Sequence, residues 1–154
     1  MEVRCRVANL NDLGKMQHLF VETIKSTCRN DYNQEQIDAW ITSVKNVERW
    51  KSFLDTQFVL IVERDEEMLG FGSLENGNYL DFLYVHKAFL RQGIASLIYE
   101  KLKAESLKRG FESLSSDVSK TARPFFEAKG FKVIRENINL VNGVEIRNYR
   151  MSQA

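Results

Sequence analysis

The chain has 154 residues, 44% of them hydrophobic and 28% charged, and its lysines and arginines exceed its aspartates and glutamates by one. That length matches the commonest domain size, and the composition excludes a disordered, fibrous or disulfide-built protein. A charge this close to neutral gives no electrostatic reason to expect nucleic acid or an anionic membrane as a partner.

The first residues, Met1-Glu2-Val3-Arg4-Cys5-Arg6, carry charge where a secretory leader needs an apolar run. No stretch approaches the ~20 apolar residues of a membrane span, so a cytoplasmic protein without membrane association is expected. Cys5 and Cys28 form no CxxC pair. They imply a reducing compartment, no disulfide and no metal. One proline, no repeat and no low-complexity tract leave nowhere to divide the chain, and a single domain over residues 1–154 is expected.

Val3, Cys5 and Val7 alternate with charged residues and predict a strand with one buried face. Leu13, Met16, Phe20, Ile24 and Thr27 recur at helical spacing, with Asn11 or Asp12 available as the cap. A second, less regular helical region opens at Tyr32 and runs toward Trp50; its tryptophans and tyrosine suit either the core or a pocket wall, with the core favoured for Trp40. Phe58-Val59-Leu60-Ile61-Val62, the charged turn Glu63-Arg64-Asp65-Glu66-Glu67 and Met68-Leu69-Gly70-Phe71-Gly72-Ser73-Leu74 predict a hairpin inside a sheet. Asn76-Gly77 turns the chain into a further strand, Tyr79-Leu80-Asp81-Phe82-Leu83-Tyr84-Val85.

Ile94, Leu97, Ile98, Leu102 and Glu105 fall at helix spacing, and Gly110 is placed to end that helix in a left-handed conformation. Residues 111–118 read as a strand parallel to the one before the helix, joined to it by a right-handed crossover. Pro124 lacks an N–H and fits only the first turn of a short helix that ends at Gly130. Asn142-Gly143 closes the final hairpin. The order predicts a mixed α/β (α+β) protein: one mixed sheet of about seven strands with helices on both faces. The last strand edge either pairs with a second copy or stays solvated, giving a monomer or a homodimer.

The turn Arg91-Gln92-Gly93-Ile94-Ala95-Ser96 joins a buried strand to an amphipathic helix. Small side chains at Gly93 and Ala95 let an anion approach the backbone. The unpaired N–H groups of the first helical turn then point at it with the positive end of the helix dipole. Arg91 can add a charged hydrogen bond. The turn is therefore a candidate cradle for a pyrophosphate, or a tight connection with no ligand. GxGxxG is absent and so is GK[ST], which excludes the dinucleotide and P-loop fingerprints.

Leu83-Tyr84-Val85-His86-Lys87-Ala88-Phe89-Leu90-Arg91-Gln92-Gly93-Ile94-Ala95-Ser96, together with Ser119-Lys120-Thr121-Ala122-Arg123-Pro124-Phe125-Phe126-Glu127-Ala128-Lys129-Gly130-Phe131, resembles the GNAT superfamily of acyl-CoA-dependent N-acetyltransferases. It resembles especially a bacterial subgroup of small, mostly uncharacterised members. The resemblance implies the acyl-CoA N-acyltransferase fold, acetyl-CoA (coenzyme A) as donor, and an amine on a small molecule or a protein as acceptor. It implies a pyrophosphate held by backbone N–H groups of Leu90, Arg91, Gln92, Gly93, Ile94, Ala95 and Ser96, with Leu90 where the family's signature opens on glutamine or arginine. It also implies that backbone groups of Leu83 and Val85 pair with the pantetheine arm, beside a bulge that splays the strand from its neighbour.

Amide formation from a thioester asks for a neutral amine, a polarised carbonyl and a proton for the departing sulfur. Asp81 is the first candidate base, because a carboxylate in an apolar strand is costly to bury without a purpose. Tyr84 and His86 are the alternatives. Strict alternation puts Tyr79, Asp81, Leu83 and Val85 on one face and Phe82, Tyr84 and His86 on the other, unless a bulge changes the phase. The family's usual acid, a tyrosine of the short helix, falls on Phe126, which has no proton to give and is expected as an apolar wall beside the thiol. Ser119 stands where an asparagine is common and is a candidate for both catalysis and donor binding. The resemblance also implies an acceptor pocket drawn from the first two helices, their loop and the C-terminal hairpin, which offers Tyr32, Trp40, Asn139 and Tyr149 as wall residues.

Overall fold

A computed structural model describes residues 2–154. Seven strands form one sheet in the order β1-β2-β3-β4-β5-β7-β6: β1 (Arg4–Val7), β2 (Phe58–Arg64), β3 (Glu67–Glu75), β4 (Tyr79–Val85), β5 (Leu114–Ser119), β6 (Lys132–Val141) and β7 (Val144–Gln153). Between β1 and β2 lie α1 (Leu13–Thr27), α2 (Gln34–Ile41) and α3 (Val47–Thr56). After β4 comes α4 (Ile94–Lys108), and after β5 the short α5 (Arg123–Ala128). The expected irregular helical region is thus two helices joined by a 3₁₀ turn at Thr42–Lys45, with Asn46 capping α3 through its side chain.

Each face of the sheet has its own core. Met16, Phe20 and Ile24 of α1, Ile37 of α2, and Trp50 and Phe53 of α3 pack on Ile61 and Phe71. Ile94, Ile98, Tyr99 and Leu102 of α4 and Phe126 of α5 pack on Leu69, Leu74, Leu80 and Val118. The start of α1 is fixed differently from expectation. Asn9 caps a 3₁₀ turn ahead of the helix, while the Asp12 carboxylate accepts from Arg6 at 2.7 and 2.8 Å. Arg6 also donates to Glu63 at 2.8 Å, so one guanidinium ties β1, β2 and the entry to α1 together.

Local signals land where the backbone needs them. Asn142 and Gly143 both have positive φ, 51° and 77°, as a two-residue hairpin loop demands. The charged turn is tighter than expected: β2 and β3 extend through Arg64 and from Glu67, leaving only Asp65 and Glu66 in the left-handed region.

Strand β4 carries the bulge. Gly72 pairs with Leu83 and Leu74 with Leu80, so Asp81 and Phe82 together stand opposite Ser73. The Ser73 hydroxyl oxygen accepts from the Phe82 N–H at 3.2 Å and holds the extra residue. Phe82 and Tyr84 face the α1–α3 core and Leu83 and Val85 face α4, as alternation predicts, while Leu80 joins the α4 face because the bulge changes the phase, and Asp81 departs from the expected face. Asp81 lies on the α1–α3 face with Phe82, bonded to Gln57 at the end of α3.

No helix among the described residues is long and apolar enough to cross a membrane. The seating of α4 depends on Gly70 and Gly72 of β3. A Cβ at Gly72 would lie 2.6 Å from Cγ2 of Ile98, 3.0 Å from Cδ1 of Leu102 and 3.1 Å from the Phe82 carbonyl oxygen. Gly72→Ala is expected to push α4 off the sheet and destabilise the fold by about 1–3 kcal/mol, checked by urea unfolding.

Candidate active site

β4 and β5 run parallel yet share a single register pair, Tyr79 with Ser115. Ser115 N–H donates to the Asn78 carbonyl at 3.1 Å, and the Ser116 hydroxyl donates to the Leu80 carbonyl at 2.6 Å. Past that point β5 pairs with β7 along its whole length, from Leu114–Gln153 to Ser119–Asn148, and β4 pairs only with β3. His86 N–H is bonded to the Leu69 carbonyl of β3 at 2.8 Å. Alternation then turns the N–H groups of Val85 and Leu83 away from β3, into the gap. The Val85 carbonyl on that side already accepts from Thr23 of α1.

A cleft of about 1530 Å³ fills the gap and runs on beneath α1, α2 and α3. At one end stands the turn before α4. Arg91 and Gly93 adopt positive φ, 61° and 83°, and curl the chain so that α4 begins at Ile94 with no side-chain cap. The first helical bond is made by Leu97 N–H to the Gly93 carbonyl at 3.0 Å, which leaves the N–H groups of Ile94, Ala95 and Ser96 unused by the helix. Leu83, Val85, Leu90, Arg91, Gly93, Ile94, Ala95, Ser96 and Ser119 all line the cleft. Gln92 does not, and is exposed on the outer side of the turn.

Bare N–H groups at a helix start, in a slot that parts two parallel strands, fit an extended ligand with an anionic end. Two sequence expectations are corrected here. Phe126 is not a wall beside the thiol: it is 3% exposed, edge-on to Phe131 at 5.0 Å and to Phe125 at 5.6 Å, and it is Phe125 that reaches the cleft. A short helix packed through Phe126 has no room to aim the same side chain at the gap. His86 also lies outside the cleft. Its Nδ1 accepts from Ala88 N–H at 3.0 Å and its ring meets Phe89, so it caps a 3₁₀ turn.

Asp81 and Tyr84 do line the cleft. Burial pushes the Asp81 carboxyl above its ordinary range, against an opposing hydrogen bond of 2.7 Å from Gln57 Nε2 and the charge of Arg49. Its Oδ1 has no partner among the described residues and is not enclosed. Tyr84 is raised too, chiefly by burial, which keeps its phenol protonated; it can give a proton but not act as a base near neutrality. Ser119 Oγ accepts from Ala122 N–H at 3.1 Å, bracing the entry to α5 while its own proton stays free to donate.

The far wall is polar and was not foreseen. Asp117 of β5 accepts from Tyr79 at 2.6 Å, from Asn137 at 2.8 Å and from Arg150 at 2.7 and 2.8 Å. Burial alone would raise that carboxyl, but these hydrogen bonds, led by Arg150, outweigh it and hold it low. It is a saturated brace across β4, β5, β6 and β7 and no base. Tyr32, Trp40 and Asn139 stand in the cleft wall as expected, whereas Tyr149 faces the opposite side of β7, under Arg123 at 4.6 Å. The Tyr32 hydroxyl donates to the Arg147 carbonyl at 2.7 Å and accepts from Lys120 N–H at 3.0 Å, roofing the middle of the cleft.

A sheet whose parallel pair parts around a ligand slot, stopped at one end by a helix start, is the architecture of the acyl-CoA N-acyltransferases. Residues 28–153 match the Acetyltransferase (GNAT) domain, and the chain belongs to the GNAT family of acetyltransferases. It is 30% identical over 141 residues to the uncharacterized N-acetyltransferase YafP of Escherichia coli K12, covering 91% of this chain and 88% of that one. A GCN5-related N-acetyltransferase structure from Rhodopseudomonas palustris superposes with a TM-score of 0.95 at 25% identity, covering 100% of this chain and 96% of the other. The PaiA N-acetyltransferase of Thermoplasma acidophilum, solved with coenzyme A, superposes at 0.75 and 20% identity over 99% of both chains.

The turn can be tested apart from the chemistry. A Cβ at Gly93 meets nothing within 4 Å, so a side chain there has space, but φ of 83° is unfavourable for it. Gly93→Glu is expected to destabilise the fold by only about 1–2 kcal/mol. It should weaken coenzyme A binding by at least about tenfold through like-charge exclusion, measured by isothermal titration calorimetry.

Proposed function

We propose that this single N-acetyltransferase domain transfers the acetyl group of acetyl-CoA to a primary amine of a small molecule or an exposed protein amine, in the cytoplasm, by direct attack with both substrates bound. Bound acetyl-CoA supplies the thioester; the chain's residues hold it and move the protons. Leu83 and Val85 present N–H groups along the slot, and Ile94, Ala95 and Ser96 present theirs at its end. The observation that carries the reading is Asp81. A carboxylate of raised proton affinity, with one oxygen free, lines the same cleft as those N–H groups.

Asp81 accepts a proton from the amine, directly or through one water. Tyr84 and Ser119 are two hydroxyls lining the cleft that can return one to sulfur in place of the absent phenol at Phe126. The coenzyme A and acetyl-CoA in the solved relatives from Thermoplasma acidophilum and Salmonella typhimurium support the donor assignment. The burial of Phe126 in the core favours a second reading, an acyl-CoA-binding sensor or interaction module with weak catalysis. A screen of amines with acetyl-CoA, reading thiol release beside acetyl-CoA binding, separates them: release supports the enzyme, and binding without release across amine classes supports the module.

With Asp81 as base, kcat/KM is expected to fall as pH drops through a midpoint above the usual carboxylate value of about 4. Asp81→Asn should lower kcat/KM by about 10²–10⁴-fold and remove that limb. The sign of the stability change is opposite. A carboxyl raised in the folded state favours the protonated form, so its contribution is present at low pH and lost as pH rises through the folded value. Asp81→Asn is therefore expected to raise Tm at neutral pH, measured by thermal unfolding. Tyr84→Phe and Ser119→Ala are expected to slow thiol release without changing the acidic limb.

A further inference from the structure

The side chain that fixes Asp81 belongs to neither sequence signature. Gln57 follows α3 in extended backbone and turns its amide to the cleft wall. Nε2 donates to Asp81 Oδ2 at 2.7 Å and to Glu75 Oε2 at 3.3 Å. An amide nitrogen has two hydrogens, and both are spent on carboxylates. The amide's other atom, Oε1, is buried and has no partner among the described residues.

An unpaired buried acceptor is a standing penalty that folded chains ordinarily avoid. Reversing the amide would not relieve it, because the carbonyl would then face two carboxylates. An apolar side chain would remove it altogether. The arrangement makes sense when the ionised carboxylate, rather than the amide, is what the wall is built to hold.

We propose that Gln57 is a positioning residue for acetyl transfer, clamping Oδ2 of Asp81 so that the free Oδ1 faces the incoming amine. The inference rests on Asp81 being the base. In the step it serves, an N–H bond of the protonated amine breaks: the proton passes to Oδ1 and the electron pair stays on nitrogen, which attacks the thioester carbon; the C–N bond forms, the C–S bond breaks with its pair leaving on sulfur, the surplus nitrogen proton goes to that sulfur, and Asp81 releases its own proton to water. The surrounding charges do not replace Gln57. Arg49 of α3 favours the ionised form, Asp117 of β5 opposes it while being paired to Arg150 of β7, and Glu75 of β3 lies across the same amide. The phenols of Tyr79 and Tyr84 on β4 are raised and stay neutral. Among the contributions that hold the Asp81 carboxyl down against burial, the Gln57 hydrogen bond is the largest.

Two readouts test it. In the first, which needs no acceptor, the Asp81 carboxyl is titrated by carbon-13 NMR, assigned by its loss in Asp81→Asn. Gln57→Leu is expected to raise its proton affinity by about tenfold, one unit of midpoint. In the second, the pH profile of kcat/KM is measured with acetyl-CoA and the fastest amine of the screen. The acidic limb should move up by the same amount, the alkaline plateau should stay within about threefold, and coenzyme A affinity should not change. An unmoved midpoint, or a uniform loss of activity with an unmoved limb, overturns the proposal. Should Gln57→Leu fail to fold, the isosteric Gln57→Glu sets a third carboxylate against Asp81 and must shift the midpoint the same way; no shift there also overturns it. Failure of the underlying reading looks different: Asp81→Asn would keep the wild-type limb.

Discussion

Tyr79 and Ser115 form the single register pair between two strands that should, by their parallel course, have gone on pairing. Each then spends its hydrogen bonds on its other neighbour, β4 on β3 and β5 on β7, so the gap between them leaves no ladder unsatisfied except the N–H groups that face it. The bulge at Asp81 and Phe82 is the local cause on the β4 side, since an extra residue bends and twists the strand that holds it. The same bulge brings Asp81 to the α1–α3 face. The slot and the candidate base thus both follow from one extra residue, pinned by one serine hydroxyl.

Around that gap the two faces of the sheet have different duties. The α4 face is packed closely enough that two glycines of β3 have no room for a Cβ, and this seats the first turn of α4 beside the end of β4. The α1–α3 face is aromatic below, with Phe20, Phe53, Phe71, Phe82 and Tyr84 meeting ring on ring, and polar at the rim, where Gln57, Asp81 and Arg49 come together. A dry floor under a carboxylate is what lifts its proton affinity. The floor was bound to be written in large apolar residues, and it was the rim that decided which carboxylate would be free.

Features that act within a few residues could be read from the chain. Asn142-Gly143, Pro124 and Gly110 each answer a local backbone demand, and each does in the fold what its chemistry predicts. The turn around Gly93 was legible for a further reason, its partnership with the segment from Ala122 to Phe131. What could not be read depends on distant partners. Gln57 and Asp81 are 24 residues apart, and Asp117 and Arg150 are 33 apart, with no motif linking either pair. The phase of β4 beyond Leu80 hinged on a hydroxyl in the next strand. Phe126 matched a family position by spacing, but spacing says nothing of how α5 rolls on its core, and the roll put Phe125 toward the cleft instead.

One strap across the cleft is a single phenol. Tyr32 uses its one proton on β7 and its lone pair on the segment between β5 and α5, while burial pushes its ionisation up to about 12. A strap made this way carries no charge at any pH at which a cell lives, and its hold is indifferent to ionic strength in a way that a lysine–glutamate strap would not be. That strap therefore stays in place while the carboxylate beneath it gains and loses its proton, whereas the Asp117–Arg150 brace of the far wall is ionic and answers to acid.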